Sequence, residues 1–493
     1  MTTADPLTGA TASPPAPVRA APAARVDPLA KATADPAAPA SANPAGPISA
    51  DPPDVASANT ADPVPADPVV PAMANPATPA ARAAEARRAT VPAPGGASTG
   101  AGAPDLTVTI CRDPVAFAAL AREWADLHRR CPVATPFQSH AWLYSWWLSY
   151  GTGGRRGARR LRVVLVRRGE RLVGAAALMR GRGPLPVLVP LGGEITDFTD
   201  VLIDADADTG TNTGTVTAAL AAGLRKAARG ALIDLPEVRP GAAAERLYAH
   251  WSGPKRRLPD SVCLELPGLP MDELIARVGS SRGQRIRANL RKLDAAGVVE
   301  REVPAADVPA AVGTMLRLHL LQWQGRGVTP EHVRPRFAEH LARAAGLMTA
   351  SGEAVVTEFS VGGEVLAANL TVLSPSLAGG YLYGAHPDLR ATKVDVTTLL
   401  MRHGVRHAAG GGRGALSLLR GAEPHKFHWR PEHVTNQRLL LAGRPLAALL
   451  HARYAAVTAR TRLAGAAARR VPALRAWRAR LNDLRSRTTS GTT

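Results

Sequence analysis

Apolar residues along this chain fall into two successive series with the same order of periods. Asp113-Pro114 opens a helix signal in which Phe117, Leu120, Trp124 and Leu127 recur every three or four residues. A second amphipathic stretch runs from Thr135 through Phe137, Trp142 and Leu143 to Trp146 and Trp147. Residues 161–167 are apolar and β-branched, Arg168-Gly169-Glu170 turns, and 171–179 returns, which predicts a hairpin. Further strands are predicted at 184–193 and 200–204, a helix at 215–228 and a buried strand at 231–235. The second series begins with helices at 270–278, 282–296, 309–323 and 335–345. A strand pair at 354–361 and 365–373 follows, joined by Gly362-Gly363, and then a strand at 377–384. A helix at 394–409 and strands at 416–419 and 434–441 close it. Helices, a hairpin and a strand–helix–strand unit, met twice, predict an α/β fold made by duplication.

The two ends differ from this. Residues 1–104 are mostly Ala, Pro, Thr, Ser and Asp, with irregularly spaced Asp-Pro pairs such as Asp27-Pro28 and Asp62-Pro63. So little apolar surface does not offset the entropy of ordering, and a disordered, extended leader is expected. Beyond 445 the pattern is helical and basic, with Leu446, Leu449, Leu450 and Val457 on one face and Leu474, Trp477, Leu481 and Leu484 on another. The expected organisation is a leader (1–104), two α/β domains (105–254 and 255–444) and a basic helical tail (445–493). The tail is read as a helix packed on the second domain or on a partner, with a membrane-surface or RNA-binding arm as the alternative.

Charge sharpens this only in part. The net charge is +20, yet residues 1–100 hold eight acids against six bases, so the excess lies in the rest of the chain. An anionic partner fits: a coenzyme phosphate, a nucleotide-linked substrate, RNA or a membrane surface. A general preference for Arg over Lys explains the same excess. Cys111, Cys131 and Cys263 are too few and too scattered for a disulfide framework or a zinc site, and no metal is expected. No signal-peptide pattern and no spanning apolar run occur, so a cytoplasmic protein is expected.

Several blocks carry a resemblance. Thr135-Pro136-Phe137-Gln138-Ser139 with Trp142, Trp146 and Trp147, the hairpin 163–178, Leu191-Gly192-Gly193 and Thr196-Asp197-Phe198-Thr199-Asp200-Val201 come first. Then follow Ser281-Arg282 through Arg291-Lys292-Leu293 to Gly297, Leu318-His319 through Gln322-Trp323 to Gly325-Arg326-Gly327, and Leu419-Arg420-Gly421-Ala422-Glu423 with Lys426 and Trp429. In this order they resemble the CelD-like (cellulose-biosynthesis-type) acetyltransferases of the GNAT superfamily, relatives of the FemABX aminoacyltransferases. The resemblance implies tandem GNAT-like (acyl-CoA N-acyltransferase) domains and acyl transfer to an amine, with acetyl-CoA as donor and a small-molecule or sugar-linked acceptor. No DNA partner is implied. The chain departs from the family at Ser417, where Asp is usual, and at His425, where Tyr is usual. The donor loop's nearest counterpart, Arg390 to Asp395, lacks the two glycines that let a backbone approach a pyrophosphate at a helix N-terminus.

Such a transfer needs a held donor, a polarised thioester oxygen and a proton acceptor, but no covalent nucleophile. Lys426 is the first candidate, as a point charge toward a phosphate or acyl oxygen, with Arg420 as a forked partner; a surface Lys paired with Glu423 is the plain alternative. Glu423 and His425 are candidate bases, His428 a weaker one. Arg282 and Arg285 share a face of a helix that also carries Arg287, Arg291 and Lys292, which suits a phosphate-bearing substrate or a solvated surface. Trp323 and Trp429 are candidate pocket walls, and Arg390 and Lys393 candidate donor-loop cations. Asp197 and Asp200 read as turn carboxylates or as an amine-orienting pair. A FemABX-like enzyme using aminoacyl-tRNA and a non-catalytic scaffold are the rival readings.

Overall fold

The computed structural model describes residues 105–463 and 466, apart from 153–156, 158–159, 211–212, 324–328, 391 and 422–424, and excludes the Arg390 side chain. The leader, most of the tail after 463 and Glu423 therefore lie outside the described residues. Strand β1 (Leu106–Cys111) begins the first half. Asp113 caps helix α1 (Pro114–Ala119), accepting from the nitrogens of Val115 and Ala116 at 3.1 and 3.3 Å. Helix α2 (Ala121–Arg129) follows. Thr135 and Gln138 form a capping box, and Ser139 then caps α3 (His140–Trp146). The predicted hairpin is β2 (Leu161–Arg168) and β3 (Arg171–Arg180), turned through Gly169 at φ 60. After β4 (Val187–Pro190) and the short β5 (Leu202–Ile203) come α4 (Thr215–Ala227), β6 (Leu232–Val238) and α5 (Ala243–His250).

The second half repeats this plan. Strand β7 (Lys255–Pro267) and helices α6 (Met271–Ala276) and α7 (Ser280–Ala295) lead into it. Then come β8 (Val299–Glu302), α8 (Val308–Gln322), α9 (Pro335–Ala350), the hairpin β9 (Ala354–Val361) and β10 (Glu364–Leu373), and β11 (Leu377–Ala385). Helix α10 (Val396–Ala409), β12 (Ala415–Arg420) and β13 (Glu432–Leu441) end it. A last helix, α11, runs over 447–463.

All thirteen described strands lie in one sheet, ordered β1-β2-β3-β4-β6-β13-β7-β12-β11-β10-β9-β8, with β5 on β3. Read inward from either edge the two halves match: β1-β2-β3-β4-β6 and β8-β9-β10-β11-β12. The innermost pair of each, β4/β6 and β11/β12, is parallel, and the other pairs within each run are antiparallel. The backbone repeats down to detail, since Glu237 (φ 55) and Leu419 (φ 57) are each the penultimate residue of their strand and each left-handed. The α/β class and the duplication expected from the apolar pattern are therefore present.

The centre of the sheet is an exchange of strands. β7, which follows the first half, pairs with β12, and β13, which ends the second, pairs with β6; β7 and β13 also pair with each other. The apolar pattern did not predict β7, because Lys255-Arg256-Arg257 and Pro259-Asp260 interrupt its alternation. Leu446, Leu449, Leu450 and Val457 seat the last helix on Val187, Leu232, Leu258 and Leu440, so it covers strands of both halves rather than the second alone. Arg453 fastens it, sharing the wholly buried Asp234 with Arg438 at 2.7 Å each. Among the described residues no helix is long and apolar enough to cross a membrane.

Burial fixes one pH dependence. His340 is completely buried against the Trp142 ring, 4.6 Å away, and burial pushes its imidazole down to about 3. An unfolded histidine holds its proton up to roughly pH 6.5. The unfolded state then binds more protons than the folded one between these values, so His340 supports folding above pH 6.5 and loses that support as pH falls. Urea unfolding at pH 7, 6 and 5 is expected to show a decline that is shallower in His340→Phe, by up to about 1.4 kcal/mol per pH unit. Equal slopes in the two proteins contradict a neutral buried imidazole.

Candidate active site

Parallel strands that part no longer satisfy each other's facing backbone groups, which then take other partners, and the two inner pairs part differently. In the first half β4 and β6 pair only at Val187/Leu232 and Leu188/Ile233. The chain then returns through 191–200 and fills the gap itself: the Thr199 nitrogen donates to the Glu237 carbonyl at 2.9 Å and Thr199 bridges Val238. Trp142 Nε1 donates to Thr196 Oγ1 at 2.8 Å, and Gln138 Nε2 donates to the Phe198 carbonyl at 2.8 Å, so the Thr135-to-Trp142 block braces this plug. A cavity of about 100 Å3 remains beside it, lined by Thr135, Thr199, Asp200 and Arg239 among others. Asp200 accepts from the nitrogens of Val201, Ala243 and Ala244, while burial pushes its carboxyl up to about 7 against them.

In the second half β11 and β12 pair over Leu377–Gly379 and Ala415–Ser417 and then separate. β11 bulges at Tyr381, which lies between Gly380, opposite Thr371, and Leu382, opposite Leu370. An extra residue of this kind drops out of the ladder and bends its strand. β12 turns away at the left-handed Leu419, and Arg420 then pairs with Cys263 of β7. The two sides of this second gap both reach segment 194–197 of the first half. From β11, the Tyr381 hydroxyl donates to the Ile195 carbonyl at 2.8 Å, with its ring against Phe137 and Trp142. From β12, Arg420 donates to Asp197 Oδ1 at 2.6 Å and to the Glu194 carbonyl at 2.6 Å. The gap is therefore bordered by both halves.

Around Arg420 sits a balanced cluster of buried charge. Its guanidinium also reaches Glu237 at 3.4 Å; Asn436 Nδ2 donates to the other Glu237 oxygen at 2.9 Å, and the Ser261 hydroxyl donates to that oxygen too. Burial raises the Asp197 carboxyl above the usual carboxylate range, and Arg420 only partly offsets this. Burial alone would lower Arg420, but Asp197 and Glu237 outweigh it and hold the guanidinium firmly protonated. Lys426 Nζ donates to the carbonyls of Arg420 and Gly421 at 3.0 and 3.3 Å, which ties its ammonium to the end of β12.

The candidates taken from the sequence are thus only partly gathered. Arg420 and Lys426 meet at the mouth of the gap, and the half-buried His425 starts the turn that carries Lys426. Glu423 lies outside the described residues. Trp429 is not a pocket wall: it is 3 % exposed and packs with Leu266, Leu274, Ile275 and Ile286, because α6 and α7 cover that side of the loop. Arg282 and Arg285 are exposed on α7, as are Arg287, Arg291 and Lys292, and none is paired with a described acid. Trp323 ends α8 half-buried, 6.2 Å from the His319 ring. Lys393 is exposed at φ 60, so it takes the left-handed conformation that a glycine would have supplied. The next helix, α10, is capped by Asp395, which accepts from the Thr398 nitrogen at 3.0 Å and so puts an acid where a phosphate would sit. Glu237, Asn436 and Tyr381 had not been singled out; no local pattern marks them. Among the described residues no cluster of metal-binding side chains occurs.

Residues 280–427 match the family model described as Acetyltransferase (GNAT) domain, which takes in α7 to the loop after β12. None of the curated proteins matches this chain. Solved structures to which the chain is similar include FemX (12% identity, 67% of this chain and 98% of that one, TM-score 0.47). Another is L-PGS from Bacillus licheniformis (11%, 69% and 94%, TM-score 0.42). A third is a tandem GNAT protein from the clavulanic acid biosynthesis pathway (14%, 68% and 98%, TM-score 0.34). At such distances they carry no weight for the activity of this chain.

Proposed function

We propose that the chain transfers an acyl group, acetyl first among candidates, from acyl-CoA to an amine, with the thioester held between β11 and β12. The observation that carries this is the parting of those strands at a bulge, within the segment that matches an acetyltransferase domain. Ligands of sheets with parallel strands lie beyond the strands' carboxyl ends, where neighbours diverge. An extended pantetheine arm there runs alongside β11 at the Tyr381 bulge, much as an added strand would. A backbone N–H at the bulge then meets the thioester oxygen as negative charge develops on it. Segment 194–197, fixed by Tyr381 and Arg420, closes the acyl end, so the first half shapes the acceptor side without holding a donor of its own. Arg420 is satisfied by Asp197, Glu237 and a carbonyl, which makes it a positioning residue, and Lys426 braces the end of β12 beside it.

With Asp395 on the α10 N-terminus, the donor's phosphates need other cations, and the exposed face of α7 offers Arg282, Arg285 and Lys292, with Lys393 near the α10 cap. Asn289 of α7 stands 3.4 Å from Asp395, which brings this face to that end of α10. Titration of acetyl-CoA into the triple variant Arg282→Glu, Arg285→Glu, Lys292→Glu is expected to give a Kd at least tenfold weaker than wild type at low salt. The difference should narrow at high salt, where surface charges are screened. An unchanged Kd contradicts the assignment of phosphates to α7. The same unpaired basic face favours one second reading, aminoacyl-tRNA as donor; binding of tRNA that falls steeply with salt, without saturable acetyl-CoA binding, would select it.

A further inference from the structure

A second set of polar groups stands on the same strand, two residues past the bulge. His319 Nδ1 lies 2.8 Å from the carbonyl oxygen of Tyr383. A carbonyl only accepts, so Nδ1 carries the hydrogen and the neutral ring leaves a lone pair on Nε2. His332 Nδ1 lies 3.2 Å from that Nε2, so it too carries its hydrogen, and the lone pair of His332 falls on its own Nε2. Two imidazoles and one carbonyl therefore fix both tautomers in sequence. Around them, Gln322 Nε2 donates to the Tyr383 hydroxyl at 3.0 Å and Gln322 Oε1 accepts from the Ala385 nitrogen at 3.2 Å, clamping α8 to the end of β11. The His332 ring stacks on Phe337, 4.8 Å away, and is half-buried. The charged neighbours are Glu331, bonded by Arg336 through two contacts of 2.8 Å, and Arg334, 3.5 Å from the same carboxylate.

We infer that His332, oriented by His319, is the group that takes the proton shed by the acceptor nitrogen, an assignment that rests on the acyl-transfer reading above. In the step, the lone pair of a neutral amine attacks the thioester carbon and forms the C–N bond. The C–S bond breaks with its electron pair going to sulfur. The nitrogen, made acidic by bonding, passes one proton to His332 Nε2, and that proton goes on to the thiolate through solvent. Amine and thioester thus become amide and thiol with no proton left over. His319 is a positioning residue: it holds His332 in the tautomer that keeps Nε2 open, and its own Nδ1–H is anchored on the strand that would carry the thioester. The neutral state agrees with burial, which pushes His332 down to about 4 and lowers His319.

Diethyl pyrocarbonate, which modifies only unprotonated imidazole nitrogen, tests the geometry on the free protein. With peptide mapping by mass spectrometry, the rate at His332 relative to the hydroxide-independent rate of a neutral imidazole is expected to stay flat from pH 7.5 to 5.5. An ordinary histidine loses about tenfold over that range. Absence of modification at His332 at all of these pH values would show its Nε2 closed off and overturn the inference whatever the activity. With acetyl-CoA and a panel of ethanolamine, glucosamine and lysine, His332→Phe is expected to lower kcat about 100-fold or more at unchanged acetyl-CoA Kd. His319→Gln, which still accepts from His332, should keep more of kcat than His319→Phe. An active wild type with His332→Phe within threefold of it overturns this inference and leaves the transfer reading intact. A wild type that acylates none of the amines overturns the transfer reading and this inference with it.

Discussion

Replacing Arg420 with alanine is expected to lower the unfolding free energy by about 3 kcal/mol or more and to abolish transfer. The substitution leaves Asp197 and Glu237, both largely buried, without their counter-charge, and a buried charge stripped of its partner is strongly destabilising, by about 3–5 kcal/mol. The side chain keeps 28% exposure, so the lower end of that range is the fitting one. Arg420→Lys should recover part of the stability but not the activity, because one ammonium does not reach Asp197, Glu237 and the Glu194 carbonyl together. Urea unfolding followed by tryptophan fluorescence measures the first effect, and thiol release from acetyl-CoA the second. A loss under 1 kcal/mol for Arg420→Ala contradicts the charge cluster as described.

Gly384→Ala is expected to destabilise by about 3 kcal/mol, the upper range for overpacking. A Cβ on Gly384 would collide with the Met315 carbonyl oxygen and the His319 backbone nitrogen, so helix α8 must back away from β11. Backbone atoms of a packed helix do not swing aside as a side-chain tip would. The same displacement pulls His319 off the Tyr383 carbonyl. Thermal unfolding by circular dichroism, with Gly363→Ala as a control at an open left-handed turn (φ 86), separates this collision from a simple loss of backbone freedom. A Gly384→Ala protein as stable as wild type would show that α8 and β11 are not in contact there.

What the sequence carried was local. The hairpins at Gly169 and Gly362-Gly363, the Asp113 cap and the Thr135-to-Trp142 block need only neighbours in the chain, and their patterns were plain. β7 was not legible, because its strength comes from β12 and β13, more than 140 residues further on, and its own Pro259 and Asp260 argue against a strand. Glu237 and Asn436 gave no signal for the same reason; Glu237 meets Arg420 and Asn436 only across a long stretch of chain, and that meeting depends on the strand exchange. Trp429 misled because an aromatic beside basic residues looks like a binding wall, whereas α6 and α7, lying across the sheet, turn it into core. Lys393 shows that a missing glycine does not remove the backbone shape a glycine favours, though Asp395 changes the charge of the helix end beside it.

Hydrogen exchange of the backbone amides, with and without saturating acetyl-CoA, addresses the donor site directly. Protection confined to peptides spanning 379–384 and 418–421, with 187–191 and 232–238 unchanged, is the predicted result. Saturable binding that protects the first-half strands instead, or leaves the exchange of 379–384 unchanged, would contradict a thioester seated between β11 and β12.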